Sequence, residues 1–259
     1  MKNALLSVSF GTSYPDTRRK TIGAIEEDLQ NSFPDRIFRR AWSSPFLRRK
    51  VKKREGIVID SPSEALQHLA EAGVEDVLVA NTHLMNGEEN DALRSALLQE
   101  KGRFSRVGLA RPLLANEGDI AAVAKILVDA FAFVSPNEMV ALMGHGSEFP
   151  MENPYRTLQR SLDELVPGRF CVGTVEFDPG FAPVLEAAKC RRPAKIWLSP
   201  LMVVAGDHAI NDMAGADENS WNSRLRAEGF ETECLLQGLG QIPGIRKLYC
   251  LHAQEAEVL

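Results

Sequence analysis

The sequence predicts an α/β protein made of two halves, each a mainly four-stranded parallel sheet flanked by helices. Three observations carry that reading. Short apolar runs alternate with helical patterns along all 259 residues, as expected of βα units. The runs fall four and four, at 4–10, 36–41, 76–82 and 107–110 and again at 139–143, 170–175, 195–201 and 231–236. The two sets also share a register. Setting Gly11 of S-F-G-T-S on Gly146 of G-H-G-S puts Phe10 opposite His145, and setting Gly87 of N-G-E-E on Gly206 of A-G-D-H puts Glu89 opposite His208.

Between the strands, helices are expected at 17–31, 63–72 (opened by Ser61-Pro62), 89–100, 119–132, 153–165 and 242–253. The turn-rich step at 133–137 sets the expected boundary, giving a first half of 1–134 and a second of 135–259, with the last helix free to pack back on the first half. Two such sheets side by side are expected to leave a cleft at the carboxyl ends of their strands, where open α/β sheets bind ligands.

With 44% hydrophobic and 25% charged residues the composition is that of an ordinary globular protein, and a net charge of -5 argues against general nucleic-acid binding. The charge is uneven, since residues 1–54 hold 13 Lys/Arg against 5 Asp/Glu. Much of that excess lies in the run Arg48-Arg49-Lys50-Val51-Lys52-Lys53-Arg54, which reads either as a solvated helix face or as an attraction for an anionic ligand. Cys171, Cys190, Cys234 and Cys250 form no C-x-x-C pair, so reduced thiols are expected. No secretory signal and no apolar run of about 18 residues is present, which predicts a cytoplasmic protein.

Two strand ends carry histidines among glycines, His145 in M-G-H-G-S and His208 in A-G-D-H-A. Neutral imidazoles suit cobalt, nickel, iron or zinc, and one carboxylate would complete a three-ligand set with open positions. Glu176, at the end of strand 170–175, is the candidate for the third ligand and Asp178 its rival, while Asp207 and Asp212 are placed to orient the histidines. His83, after strand 76–82, is a candidate for ligand contact or proton handling. His68 and His252 lie in helices and read as ordinary helix residues. The loops S-F-G-T-S and G-H-G-S match neither a Walker loop nor G-x-G-x-x-G, so the nucleotide signal is weak.

Taken together, S-F-G-T-S, N-G-E-E, M-G-H-G, V-E-F near 176, the long A-G-D-H-A-I-N-D-M and the closing G-L-G-x-x-P-x-I-R resemble the anaerobic sirohydrochlorin cobaltochelatases of cobalamin biosynthesis. The resemblance implies a class II chelatase similar in fold to ferrochelatase, with two Rossmann-like halves and ATP-independent insertion of a divalent metal into a tetrapyrrole. It implies His145, Glu176 and His208 as metal ligands, His145 also as proton acceptor, and Glu89 as an acidic residue of the cleft. Under it, Ser9, Phe10, Gly11, Thr12, Ser13, His83 and Met85 are expected to contact the substrate. Arg18, Arg19 and Arg49 are candidate partners for the eight carboxylates of sirohydrochlorin. Co2+ is the expected substrate metal, with Fe2+ and sirohaem synthesis as the alternative. No organic cofactor, nucleic acid or membrane is expected; homo-oligomerisation stays open, as does a non-catalytic metal- or tetrapyrrole-binding role. Residues 146–150 and the basic run at 48–54 match no motif of the family.

Overall fold

The architecture was taken from a computed structural model, which describes residues 2–146 and 153–259. The chain forms two compact units, Met1–Ala115 with Pro243–Leu259, and Asn116–Ile242.

The first unit opens with β1 (Asn3–Ser9), whose residues from Ala4 onward are all buried. A short helix α1 (Pro15–Arg18) runs through a π-helical turn, Arg19–Gly23, into α2 (Ala24–Ser32), so the single helix expected at 17–31 has a wider turn inside it. Next come β2 (Ile37–Trp42), α3 (Pro45–Glu55), α4 (Pro62–Glu71), β3 (Asp76–Asn81), α5 (Glu88–Glu100) and β4 (Arg106–Leu109). All six residues of β3 are buried, as in a parallel sheet covered on both faces. The helix starts are encoded locally. Ser44 caps α3 by accepting from Leu47 N–H, and Ser61 with Glu64 forms a capping box on α4, each followed by proline at the first helical position.

The second unit begins with α6 (Glu117–Ala130), capped by the Asn116 side chain, and continues through β5 (Met139–Gly144), α7 (Pro154–Leu165), β6 (Phe170–Thr174), α8 (Ala182–Arg191), β7 (Ile196–Pro200), α9 (Trp221–Ala227) and β8 (Thr232–Cys234). The chain then returns to the first unit with α10 (Pro243–Gln254) and β9 (Glu257–Val258).

Strand order is β2-β1-β3-β4 in the first sheet, with β9 antiparallel on its edge, and β6-β5-β7-β8 in the second. The parallel core of each unit therefore has the same winding. All eight expected strands form, and among the described residues only the two-residue β9 was not anticipated. The boundary between the compact units lies earlier than the turn at 133–137, because α6 packs on α7 and joins the second unit. The last helix packs on α2 and β3, which buries His252 completely.

This winding fixes where a ligand site can form. In each sheet the first strand sits between the second and third, so the crossover to the second strand and the next one to the third run in opposite directions. The crevice at the carboxyl ends of those central strands is the binding position of a doubly wound sheet. In the first unit it lies beyond β1 and β3, and in the second beyond β5 and β7.

Candidate metal centre

His145 leaves β5 and His208 follows β7, so both imidazoles stand at the switch point of the second unit. Their rings meet edge to face, with centroids 4.9 Å apart and planes at 81°. His145 is exposed and His208 half-buried.

The turn carrying His145 is held from beneath. The Tyr155 ring of α7 lies where a Cβ on Gly144 would stand, and the Tyr155 hydroxyl accepts from Gly146 N–H at 3.3 Å. Burial pushes the Tyr155 phenol up to about 12, so this oxygen stays a neutral acceptor. Gly146 has φ +110°, and a Cβ there would collide with the Glu176 carbonyl. Only glycine lets the two backbones approach so closely.

That approach continues the ladder beyond β6, with Val175 N–H donating to Gly144 O and Glu176 N–H to His145 O, both at 2.9 Å. Glu176 is thereby tied to His145 through the main chain, with its side chain exposed. Asp178, its rival, is turned away in a bidentate pair with Arg156. Among the described residues no three His, Cys, Asp or Glu side chains stand close enough to hold an ion together. The structure thus brings together the two imidazoles, with Glu176 bonded to His145 through the backbone and its carboxylate exposed to solvent. Residues 147–150, part of the unmatched segment after His145, lie outside the described residues.

The loop before His208 is supported by the G-L-G motif. Leu239 N–H donates to Met202 O at 2.8 Å and Gly240 N–H to Val203 O at 3.0 Å, while Gly238 packs against the 203–205 backbone so closely that a Cβ would clash. His208 opens the π-helical turn Ala209–Met213, a form frequent at functional sites. Its Nδ1 lies 2.7 Å from Oδ2 of Asp212.

The first unit repeats this construction with different side chains. Ser43 N–H donates to Ser9 O at 2.9 Å and Ser44 N–H to Phe10 O at 3.3 Å, the same pair of bonds made by Val175 and Glu176. Gly11 has φ +105° and lies against Trp42. Phe10 thus stands where the second unit has His145, and Ser44 where it has Glu176. By motif register Glu89 stands where His208 does. Phe10 and Glu89 thus stand at the positions of the two histidines, so the first unit pairs no imidazoles there, and the helix-capping Ser44 replaces the carboxylate of Glu176.

The expected substrate contacts divide by exposure. Phe10 (48% exposed) and Glu89, at the start of α5, face solvent, and Met85 is half-buried. Ser9, Thr12 and Ser13 are buried. The Ser9 hydroxyl pairs with Thr82 Oγ1 at 2.8 Å, Thr12 Oγ1 accepts from Tyr14 N–H at 3.3 Å, and the Ser13 carbonyl accepts from Arg54. His83 is buried too. Its Nε2 lies 3.1 Å from Ser43 Oγ, its Nδ1 has no hydrogen-bond partner among the described residues, and burial depresses its pKa to about 4. Arg18 is held by Glu55 at 2.5 Å. In the basic run of α3, Arg48 and Arg54 are also paired with Glu64 and Glu55. Tyr155 and Ser43 were missed from sequence, because their roles depend on backbone atoms that no residue pattern displays.

Two units of one winding, with imidazoles gathered at the switch point of the second, define a duplicated α/β protein of the chelatase fold. SirB from Bacillus subtilis with Fe3+ has the same fold at a TM-score of 0.67 and 14% identity, covering 98% of this chain and 95% of that one. So does CbiX, the terminal enzyme for biosynthesis of siroheme in denitrifying bacteria, at a TM-score of 0.56 and 16% identity over 98% and 99% of the two chains. The chain belongs to the cobalt chelatase (CbiK) family, whose model matches residues 3–257. The sirohydrochlorin cobaltochelatase of Salmonella typhimurium is 39% identical over 257 residues, 99% of this chain and 97% of that protein. The sirohydrochlorin cobaltochelatase CbiKC of Nitratidesulfovibrio vulgaris is 29% identical over 98% and 90% of the two chains.

Proposed function

We infer that this chain is a sirohydrochlorin cobaltochelatase, inserting Co2+ into sirohydrochlorin without ATP and releasing two protons. The observation that carries the reading is the imidazole pair at the switch point, in a chain that belongs to the cobalt chelatase family over nearly its whole length.

The chemistry needs an ion delivered loosely and a base beside it. His145 and His208 bind Co2+ through nitrogen, and Glu176, tethered beside His145, swings in as the third ligand. Imidazole and carboxylate hold a divalent ion of this class less firmly than thiolate would. As pyrrole nitrogens replace the protein donors, two pyrrole N–H protons must leave. A metal-bound imidazole nitrogen cannot accept one of them, so the roles are sequential: His145 first gives up the ion, then takes a proton. Glu89 relays the second. Phe10 and Met85 offer apolar surface to the macrocycle, and the cations of α3 attract its carboxylates. No organic cofactor takes part, and the protein works in the cytoplasm. Among the described residues no helix is long and apolar enough to cross a membrane.

The test follows the sirohydrochlorin absorption spectrum under anaerobic conditions with Co2+, with and without enzyme, and then with Co2+ and Fe2+ in competition. Faster cobalt insertion than in the blank supports the reading. Preference for Fe2+ would make the chain a sirohydrochlorin ferrochelatase. Stoichiometric binding without acceleration would make it a carrier.

A further inference from the structure

We propose that Asp212 is a positioning residue that locks His208 in the tautomer needed to take up the metal, an inference that rests on the ligand reading of His208 above. His208 Nδ1 and Asp212 Oδ2 are 2.7 Å apart, four residues from each other on one helical turn. An ionised carboxylate has no proton to give and can only accept. The hydrogen of the neutral imidazole must therefore sit on Nδ1, which leaves the lone pair on Nε2.

Without that partner, the neutral ring would divide between its two tautomers, and the Nε2-protonated form has no donor pair at the nitrogen that meets the ion. The hydrogen bond also fixes the ring plane, which stands edge-on to His145 at 81°. The backbone keeps both residues in place. Ile210 N–H donates to Gly206 O at 3.1 Å and Ala214 N–H reaches back five residues to Ala209 O at 3.2 Å, so the wide turn is closed at both ends. A carboxylate behind a histidine ligand both orients the ring and raises its basicity, and its loss elsewhere costs about 10- to 100-fold in metal affinity or activity.

The first unit has no counterpart of this device, since Glu89 stands at the position of His208. The carboxylate there is the group itself and needs no tautomer.

The experiment records 15N spectra of histidine-labelled apo protein at a pH where imidazole is neutral, for the wild type, Asp212→Asn and Asp212→Ala, together with steady-state kinetics in Co2+. The expected wild-type result is a protonated Nδ1 and a pyridine-type Nε2 at His208. Asp212→Ala should gain the opposite tautomer and raise KM for Co2+ about 10- to 100-fold, with kcat at saturating cobalt changed less. Asp212→Asn, which keeps an acceptor oxygen, should fall between the two. An Nε2-protonated His208 in the wild type, or an unchanged tautomer and KM in Asp212→Ala, would overturn the proposal. The tautomer readout needs no metal, so the two failures separate: a wild-type KM for Co2+ in His208→Ala sinks the ligand reading instead.

Discussion

The His145 and His208 rings stand edge to face with centroids 4.9 Å apart, although 63 positions separate them in the chain. The switch point of the second sheet brings them together, since β5 and β7 are neighbours there. One divalent ion can reach a nitrogen of each ring only if both remain. Replacing either histidine by alanine should weaken Co2+ binding to the apo protein by more than the 10- to 100-fold typical of losing an outer partner. Isothermal titration checks this, and unchanged affinity in both variants would separate the pair from the metal.

Glycine is required at 146 but not at 206. At Gly146 a side chain meets φ +110° and the Glu176 carbonyl, whereas a Cβ on Gly206 meets nothing within 4 Å among the described residues. Gly146→Ala should cost at least the ~1–3 kcal/mol of strained backbone. Gly206→Ala should stay within about 0.5 kcal/mol. Urea denaturation midpoints read the difference, and equal losses would contradict the close approach of the two backbones.

Tyr155 offers a finer probe of the His145 turn. Removing only its hydroxyl in Tyr155→Phe takes the acceptor from Gly146 N–H, worth about 0.5–1.5 kcal/mol. The insertion rate should fall more than the stability does. Tyr155→Ala empties the space beneath Gly144 and should cost about 3–5 kcal/mol. If Tyr155→Phe inserts cobalt at the wild-type rate, the hydroxyl does not hold the turn in its working form.

Stability against acid should report His83. Its folded pKa, depressed by burial to about 4, lies below the ordinary 6.5, so the unfolded chain binds a proton that the folded chain refuses. The contribution is fully present above pH 6.5 and is lost as the pH falls toward 4, reaching roughly 3 kcal/mol. His83→Gln should flatten that part of the stability curve relative to the wild type. A parallel pair of curves between pH 6.5 and 4 would show that His83 titrates normally.

The strand cores were legible because a doubly covered parallel sheet demands uninterrupted apolar runs, and the duplication was legible because the glycines at 11 and 146 serve the same backbone conformation in both units. The register that set Phe10 opposite His145 reappears in the hydrogen bonds from Ser44 to Phe10 and from Glu176 to His145. The unit boundary was less legible. It depends on which surface α6 chooses, and its buried Ile120, Val123 and Leu127 would suit any apolar partner. Burial of the rim hydroxyls was also hidden, since Ser9 and Thr82 satisfy one another across 73 positions. Asp212 was named as a candidate to orient a histidine, and its four-residue spacing from His208 made that readable. Asp178 could not be separated from Glu176 until Arg156 claimed it.

The central claim is that the second-unit imidazoles perform the insertion. The most direct measurement is the rate of Co2+ incorporation into sirohydrochlorin by His145→Ala, followed by absorbance beside the wild type and an enzyme-free blank. The account predicts that the variant, folded as judged by its melting curve, falls to the rate of the blank. Insertion at the wild-type rate by the folded variant would contradict it.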